Sequence, residues 1–334
     1  MKTSIPPSHE HPFAQYVRIL GKGKKGSRSL TEDEAYDAMR MIMAGKVQDV
    51  QLGAFLMLLR VKEESPEELL GFVKAVRETL KPECTINVDL DWSSYAGKRR
   101  HFPWYLFSIF LLAEAGHKVF IHGASGHTID RIYTEDVLQE LGLGIASSWA
   151  ECAKQTESRG FTYFPLEHLC PTLHRIIELR NVMGLRSPVH TLSRLLNPCD
   201  APAVIQGIFH PGYRPVHQLA AQALNYQRVD VIKGEAGEIE RNPDIQCLVQ
   251  SVREGELSDE TWPPMFGKRH VKESELDLRD FTAVWRGDAE HEYGVAAVVG
   301  TTAIALKLLG KAPSQETAEE MALDLWAQRN KSML

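Results

Sequence analysis

From residue 83 onward, short apolar runs alternate with helical stretches. This alternation restricts the fold more than any other feature of the chain. The strand candidates are INVDL (86–90), KVFIHG (118–123), AVIQGIF (203–209) and VDVIKG (229–234). Between them lie WYLFSIFLLAEAG (104–116), TEDVLQELG (134–142) and VHQLAAQALNY (216–226), with apolar residues at helical spacing. Strands joined through helices make right-handed crossovers, so the pattern predicts a mainly parallel sheet covered on both faces. A loop-like stretch containing TWPPMFGKRH (261–270) follows, then two long helices over 292–309 and 315–329.

The first eighty residues read as helices alone. Thr31 and Glu34 form a capping box that opens TEDEAYDAMRMIMAG. Asp49 is placed to cap a helix with Val50, Leu52, Phe55, Leu56 and Leu59 on its apolar side. SPEE (65–68) starts a third helix that ends before Pro82. PTLHRIIELRNVMG (171–184) returns to the helical rhythm. The expected architecture is α/β: a small discontinuous helical domain over 12–82, joined by about 171–190, and a larger α/β domain over 83–170 and 191–334.

Open parallel sheets bind ligands where strands end in loops, and three strand-to-glycine junctions are present. KVFIHGASGH (118–127) ends in small residues whose N–H groups can cradle a phosphate. VDLDWSSYAGKRRHF (88–102) ends in a Ser/Gly/basic loop. VIKGEAGEIERNPD (231–244) ends in an acidic loop able to hold a hard cation through Glu235, Glu238 or Glu240. The alternative for each is a tight turn after a strand. The histidines lack HExxH or paired Cys/His spacing, and GASGH misses G-x-S-x-G because residue 127 is histidine. The five cysteines form no CxxC, which points to reduced thiols. No apolar run reaches the roughly 20 residues needed to span a bilayer. MKTSIPPSHEHPF lacks an apolar signal core, so the expected location is cytoplasmic.

The formal net charge is −6, yet cations gather on loops. GKGKKGSR (21–28) carries Lys22, Lys24, Lys25 and Arg28; GKRRH (97–101) carries Lys98, Arg99 and Arg100; GKRH (267–270) carries Lys268 and Arg269. Cations on glycine-rich loops suit phosphate contact without base readout. Tyr95, His101, Phe102 and Trp104 lie near them, either as stacking platforms or, for Phe102 and Trp104, as core residues at a helix start.

HKVFIHGASGH with TEDVLQELG, RGFTYFP, and ELRNVMGLRSPVHTLSRLLNP resemble the anthranilate phosphoribosyltransferase family, within glycosyltransferase family 3 and its nucleoside-phosphorylase-like fold. The resemblance runs over nearly the whole chain. It implies a homodimer formed through the helical domain. In active members of the family a GTGGD loop holds the diphosphate of phosphoribosyl pyrophosphate; here WSSYAGK stands in its place. KHGNR is IHGAS, which keeps His122 and Gly123. LGPL-x-NP is LSRLLNP, putting Arg194 at a proline's position. GEIE keeps Glu240 but puts Ile239 near the place of an aspartate. Arg180 and Arg186 match family arginines, the first lying where active members contact the anthranilate carboxylate.

The chain looks like the branch with degenerate transferase motifs, whose members bind nucleic acid as homodimers without sequence preference. The resulting expectation is a nucleic-acid-binding homodimer, with no cofactor required and no membrane. DNA or RNA would contact Lys22, Lys24, Lys25, Arg28, Lys98, Arg99, Arg100, Arg194, Lys268 and Arg269. The alternative is a pentosyl transferase for an altered phosphorylated sugar or aromatic acceptor. Gly97, Lys98, His122, Gly123 and Ser125 would then hold phosphate, Glu240 a magnesium ion, and Arg180 the acceptor. No residue is assigned a catalytic role.

Overall fold

The computed structural model describes residues 10–80, 82–273 and 275–334. Seven strands form one sheet: β1 (Leu90–Ser94), β2 (Val119–Gly123), β3 (Phe161–Pro165), β4 (Ala203–Ile208), β5 (Arg228–Lys233), β6 (Cys247–Arg253) and β7 (Glu256–Trp262). Their spatial order is β3-β2-β1-β4-β5-β6-β7. The first five are parallel; β6 and β7 add antiparallel. The chain winds outward from β1 to β3, then starts again at β4 and winds the other way. The ends of β1 and β4 therefore flank a topological switch point.

Alternate strand residues pack into two cores. Leu90, Trp92, Val119, Ile121, Ala203 and Ile205 face the helices Tyr105–Glu114 and Glu292–Leu308. Every residue from Tyr105 to Leu112 is buried, as expected of a helix apolar all round. On the opposite face, Phe120, Val204, Val229 and Val231 join a core that continues into the N-terminal helices Ala14–Gly21, Glu32–Met43, Asp49–Lys62 and Pro66–Arg77. Leu173, Ile176 and Ile177 of helix Pro171–Glu178 belong to that same core.

Capping boxes at Thr31/Glu34 and Ser65/Glu68 form as expected. Glu68 is fully buried and also accepts from Lys62 Nζ at 2.7 Å. Asp49 is the first helical residue and not the cap; Gln48 takes that position. Helices Glu32–Met43 and Pro66–Arg77 approach so closely at Gly71 that a β-carbon there would stand 2.3 Å from Glu32 O. Three differences from the sequence-based expectation concern strands. The first begins four residues later than INVDL suggests, so Trp92–Ser94 are strand and only Tyr95–Lys98 are loop. β3 is an extra parallel strand at RGFTYFP. The β6–β7 hairpin is also extra: β6 is mostly buried, while β7 is largely exposed and lacks an apolar signature. Its turn, Glu254–Gly255, has both φ values positive (51° and 88°), as two-residue hairpin turns demand. Among the described residues no helix is long and apolar enough to cross a membrane.

A basic cleft at the switch point

The loops after β1, β4 and β5 meet at the carboxyl ends of the strands. The β5 loop folds back sharply: a β-carbon on Gly234 would stand 1.5 Å from Glu238 O, and one on Gly207 2.6 Å from the same atom. This fold projects Glu238 and Glu240 across the end of β4 to the segment following β1. Glu238 Oε1 accepts from the amides of Ala96 and Gly97, both at 2.6 Å, and its Oε2 accepts from Ser94 Oγ at 2.9 Å. Arg131 Nη1 donates to the carbonyls of the same two residues, at 2.8 and 2.9 Å. The loop that would cradle an anion is thus satisfied from within on both sides.

Lys98 is not a rim cation. It is 1 % exposed, and its ammonium lies 2.5 Å from Glu240 Oε1, itself fully buried. Burial raises the Glu240 carboxyl and Lys98 works against that rise. Glu240 Oε2 accepts the amide of Tyr105, the first residue of its helix, at 3.0 Å. With both oxygens engaged, Glu240 is not an open metal ligand. Arg194 is buried too, donating to the carbonyls of Gly207 and His190, and its guanidinium lies 5.8 Å from the centre of the Tyr95 ring. These two cations leave the expected polyanion surface for one physical reason: each has its partners in the interior.

The phosphate candidates fare similarly. His122 is buried between Tyr95 OH (2.8 Å) and Asp91 Oδ2 (3.3 Å). Gly123 abuts β1, and Ser125 donates to Glu135 at 2.7 Å. Gly97 takes φ +70° and would bring a β-carbon to 2.9 Å from the Tyr133 ring, so it serves the turn. Arg28 is held in a bidentate pair with Glu34 (2.6 and 2.7 Å). Arg180 donates to His127 O at 2.5 Å. Lys268 is exposed 3.7 Å from Glu292, and Arg99 is exposed 3.7 Å from Asp130. Arg269, Lys22, Lys24 and Lys25 are exposed, and among the described residues no carboxylate pairs with them. Phe102 and Trp104 are core residues, not platforms.

What the folding does assemble is a cleft of about 540 Å³ bordered by Arg99, Arg100, Arg131, Lys233 and Lys272, with Glu235 facing them. Phe209, half exposed, and His210 stand between it and a smaller cavity of about 100 Å³ lined by Arg60, Arg186, His190 and Arg194. Burial and then the neighbouring Arg186 push His127 down to about 3, and burial lowers Arg186 to about 10. Sequence reasoning missed Arg131, Lys233 and Lys272. Lys233 ends β5 directly before Gly234, a placement legible in VIKG; Lys272 has no local signal.

Residues 15–80 match the glycosyl transferase family, helical bundle domain. Anthranilate phosphoribosyltransferase of Cupriavidus metallidurans is 31% identical over 262 residues, spanning 76% of this chain and 75% of that relative. The Burkholderia mallei enzyme of the same name is 31% identical over 257 residues, spanning 75% and 74%. Among solved structures, Thermus thermophilus anthranilate phosphoribosyltransferase superposes with a TM-score of 0.77 at 21% identity, covering 95% of each chain. The Saccharomyces cerevisiae protein in complex with PRPP and Mg gives 0.73 at 16% identity, covering 96% of each. With its helical bundle, its sheet order and this degree of identity over three quarters of its length, the chain belongs to the anthranilate phosphoribosyltransferase family.

Proposed function

We propose that this protein is a pentosyl transferase for an altered phosphorylated sugar or acceptor, and that it binds the phosphorylated ligand in the switch-point cleft. One observation carries the proposal: besides the buried Lys98, five cationic side chains and a single carboxylate, Glu235, line a cleft of about 540 Å³ at the carboxyl ends of the strands. Open parallel sheets bind ligands there. A yeast relative of the same fold holds PRPP. In this chain the contacts come from side chains, because the loop amides are engaged by Glu238. Thermal unfolding with phosphoribosyl pyrophosphate tests this. Ligand at a hundred times Kd adds about 2.7 kcal/mol, and an unchanged melting temperature at millimolar ligand ends the proposal.

A second function is supported by Lys22, Lys24 and Lys25, exposed on a glycine-rich turn away from any acidic partner among the described residues. There the protein, as a two-fold dimer, binds nucleic acid without sequence preference. In gel shifts on duplex DNA, log K would fall with log salt by about 0.9 per phosphate neutralised. Replacing the three lysines by alanine would flatten the slope; no retardation at low salt removes this function.

A further inference from the structure

Two internal contacts fill the positions that an anion and its metal ion would take. An oxygen held by two consecutive amides and accompanied by a hydroxyl is the setting of a bound phosphate oxygen in a glycine-bearing loop. Here that oxygen belongs to Glu238, at 2.6 Å from Ala96 N and Gly97 N, with Ser94 Oγ on its companion. The carboxylates of the β5 loop lie beside it, and among the described residues each has a hydrogen-bond partner. Glu240 pairs with Lys98 and with the Tyr105 amide, and Glu235 Oε2 accepts from Asn242 at 2.8 Å. Between Glu238 and Glu240 stands Ile239, buried and apolar.

A magnesium ion asks for near-octahedral oxygens at about 2.0–2.1 Å. An ammonium 2.5 Å from Glu240 Oε1 occupies the space such an ion would need. Among the described residues no group of three or more His, Cys, Asp and Glu is arranged to hold a metal. The magnesium found in the yeast relative does not fit this donor set. Moving the Lys98 head away would leave Glu240 buried and unpaired, at a large cost, so the exchange of ammonium for metal is opposed.

We propose that Lys98 and Glu238 are built-in substitutes for the metal ion and the anion of this fold, so that phosphorylated ligands bind on Arg99, Arg100, Lys233 and Lys272 without a divalent cation. The ligand class rests on the function proposed above; the absence of a metal site does not.

Two measurements on the full chain separate them. The first titrates Mn²⁺ alone and follows the free ion by electron paramagnetic resonance, on the native protein, on Glu240→Gln and on Lys98→Met. The native protein and Glu240→Gln should leave the ion equally free, while Lys98→Met should acquire a site. Binding by the native protein that Glu240→Gln abolishes would overturn the proposal, as would a folded Lys98→Met that gains nothing. Should Lys98→Met fail to fold, the native and Glu240→Gln pair still decides. The second titrates inorganic pyrophosphate calorimetrically in EDTA. Binding there supports the proposal; binding that appears only with magnesium, or tightens by about tenfold or more with it, overturns it. If pyrophosphate binds under neither condition, the ligand class falls and the Mn²⁺ result alone decides the metal site.

Discussion

Gly123, the last residue of β2, approaches β1 so closely that a β-carbon on it would stand 2.1 Å from the carbonyl oxygen of Ser94. Backbone cannot yield as a flexible side chain can. Gly123→Ala is expected to destabilise the fold by about 3 kcal/mol, at the upper end of overpacking costs. Ser125→Ala, two residues on and half-buried, should cost under about 1.5 kcal/mol for its one hydrogen bond to Glu135. Urea unfolding of both variants checks the contrast; equal losses would place the constraint elsewhere.

Breaking the Lys98–Glu240 pair from one side strands a buried charge. Glu240→Gln or Lys98→Met is expected to cost about 3–5 kcal/mol each. The double variant should recover a substantial part of the summed loss, because it removes both charges. A double-mutant cycle on unfolding free energies reads the coupling, and simple additivity would count against the pair.

Trp104 is fully buried against His291 (4.6 Å between ring centres), Phe281 (5.3 Å) and Phe107 (5.8 Å). Trp104→Ala should therefore lower stability by about 3–5 kcal/mol. Nucleic-acid or pyrophosphate affinity, measured well below the new melting point, should not change. A selective loss of binding would restore a stacking role for the ring.

The segment carrying Lys272 is fastened through three histidines. Glu273 lies 2.5 Å from His101 Nδ1 and 3.1 Å from His291 Nε2, and His270 lies 2.6 Å from Asp244 and 3.0 Å from Glu292. Burial would raise the Glu273 carboxyl, but its bonds to His101 and His291 hold it at about 2. That contribution to stability is present above the ordinary value of 4.5 and is lost as pH falls toward 2. Glu292 and Asp244 raise His270 above 6.5, so its contribution is complete below 6.5 and lost as pH rises through the raised value. Hydrogen exchange across 263–273, corrected for intrinsic rates, should be slowest between these limits. His270→Asn should abolish the alkaline limb and leave the acid one.

Side chains of the open cleft should act singly and weakly. Arg100→Ala and Lys272→Ala are each expected to weaken pyrophosphate binding by about tenfold, the worth of one charge-assisted hydrogen bond. The losses should shrink as salt is raised. Arg269→Ala, which does not border the cleft, is the control.

Helix starts were legible because the signals that specify them are local: Thr31 with Glu34, and Ser65 with Glu68, sit three residues apart. The parallel sheet was legible because short apolar runs, such as Val119–Ile121 in KVFIHG, alternate with helical stretches. β1 was misplaced because it carries Asp91 and Ser93, buried polar residues that interrupt the apolar run, and only Asp91 of the two meets His122. β7 was missed because ELSDETW is an exposed strand whose only apolar residues are Leu257 and Trp262. Two of the site's three loops, those after β1 and β5, were legible at strand ends; the loop after β4, with Phe209 and His210, was not, and the charges were illegible. Lys98 reads as solvated in GKRRH; its partner lies 142 residues away, and only the crossing loop reveals it. Arg194 donates to carbonyls only 13 and 4 residues away, and its one distant neighbour among the contacts described is the Tyr95 ring.

Glu238 and Glu240 reach from the tail of β5 over the end of β4 to residues beyond β1, and so act as a cross-brace between the two windings of the sheet. The jaws on either side of the crevice cannot part without rupturing five hydrogen bonds at once.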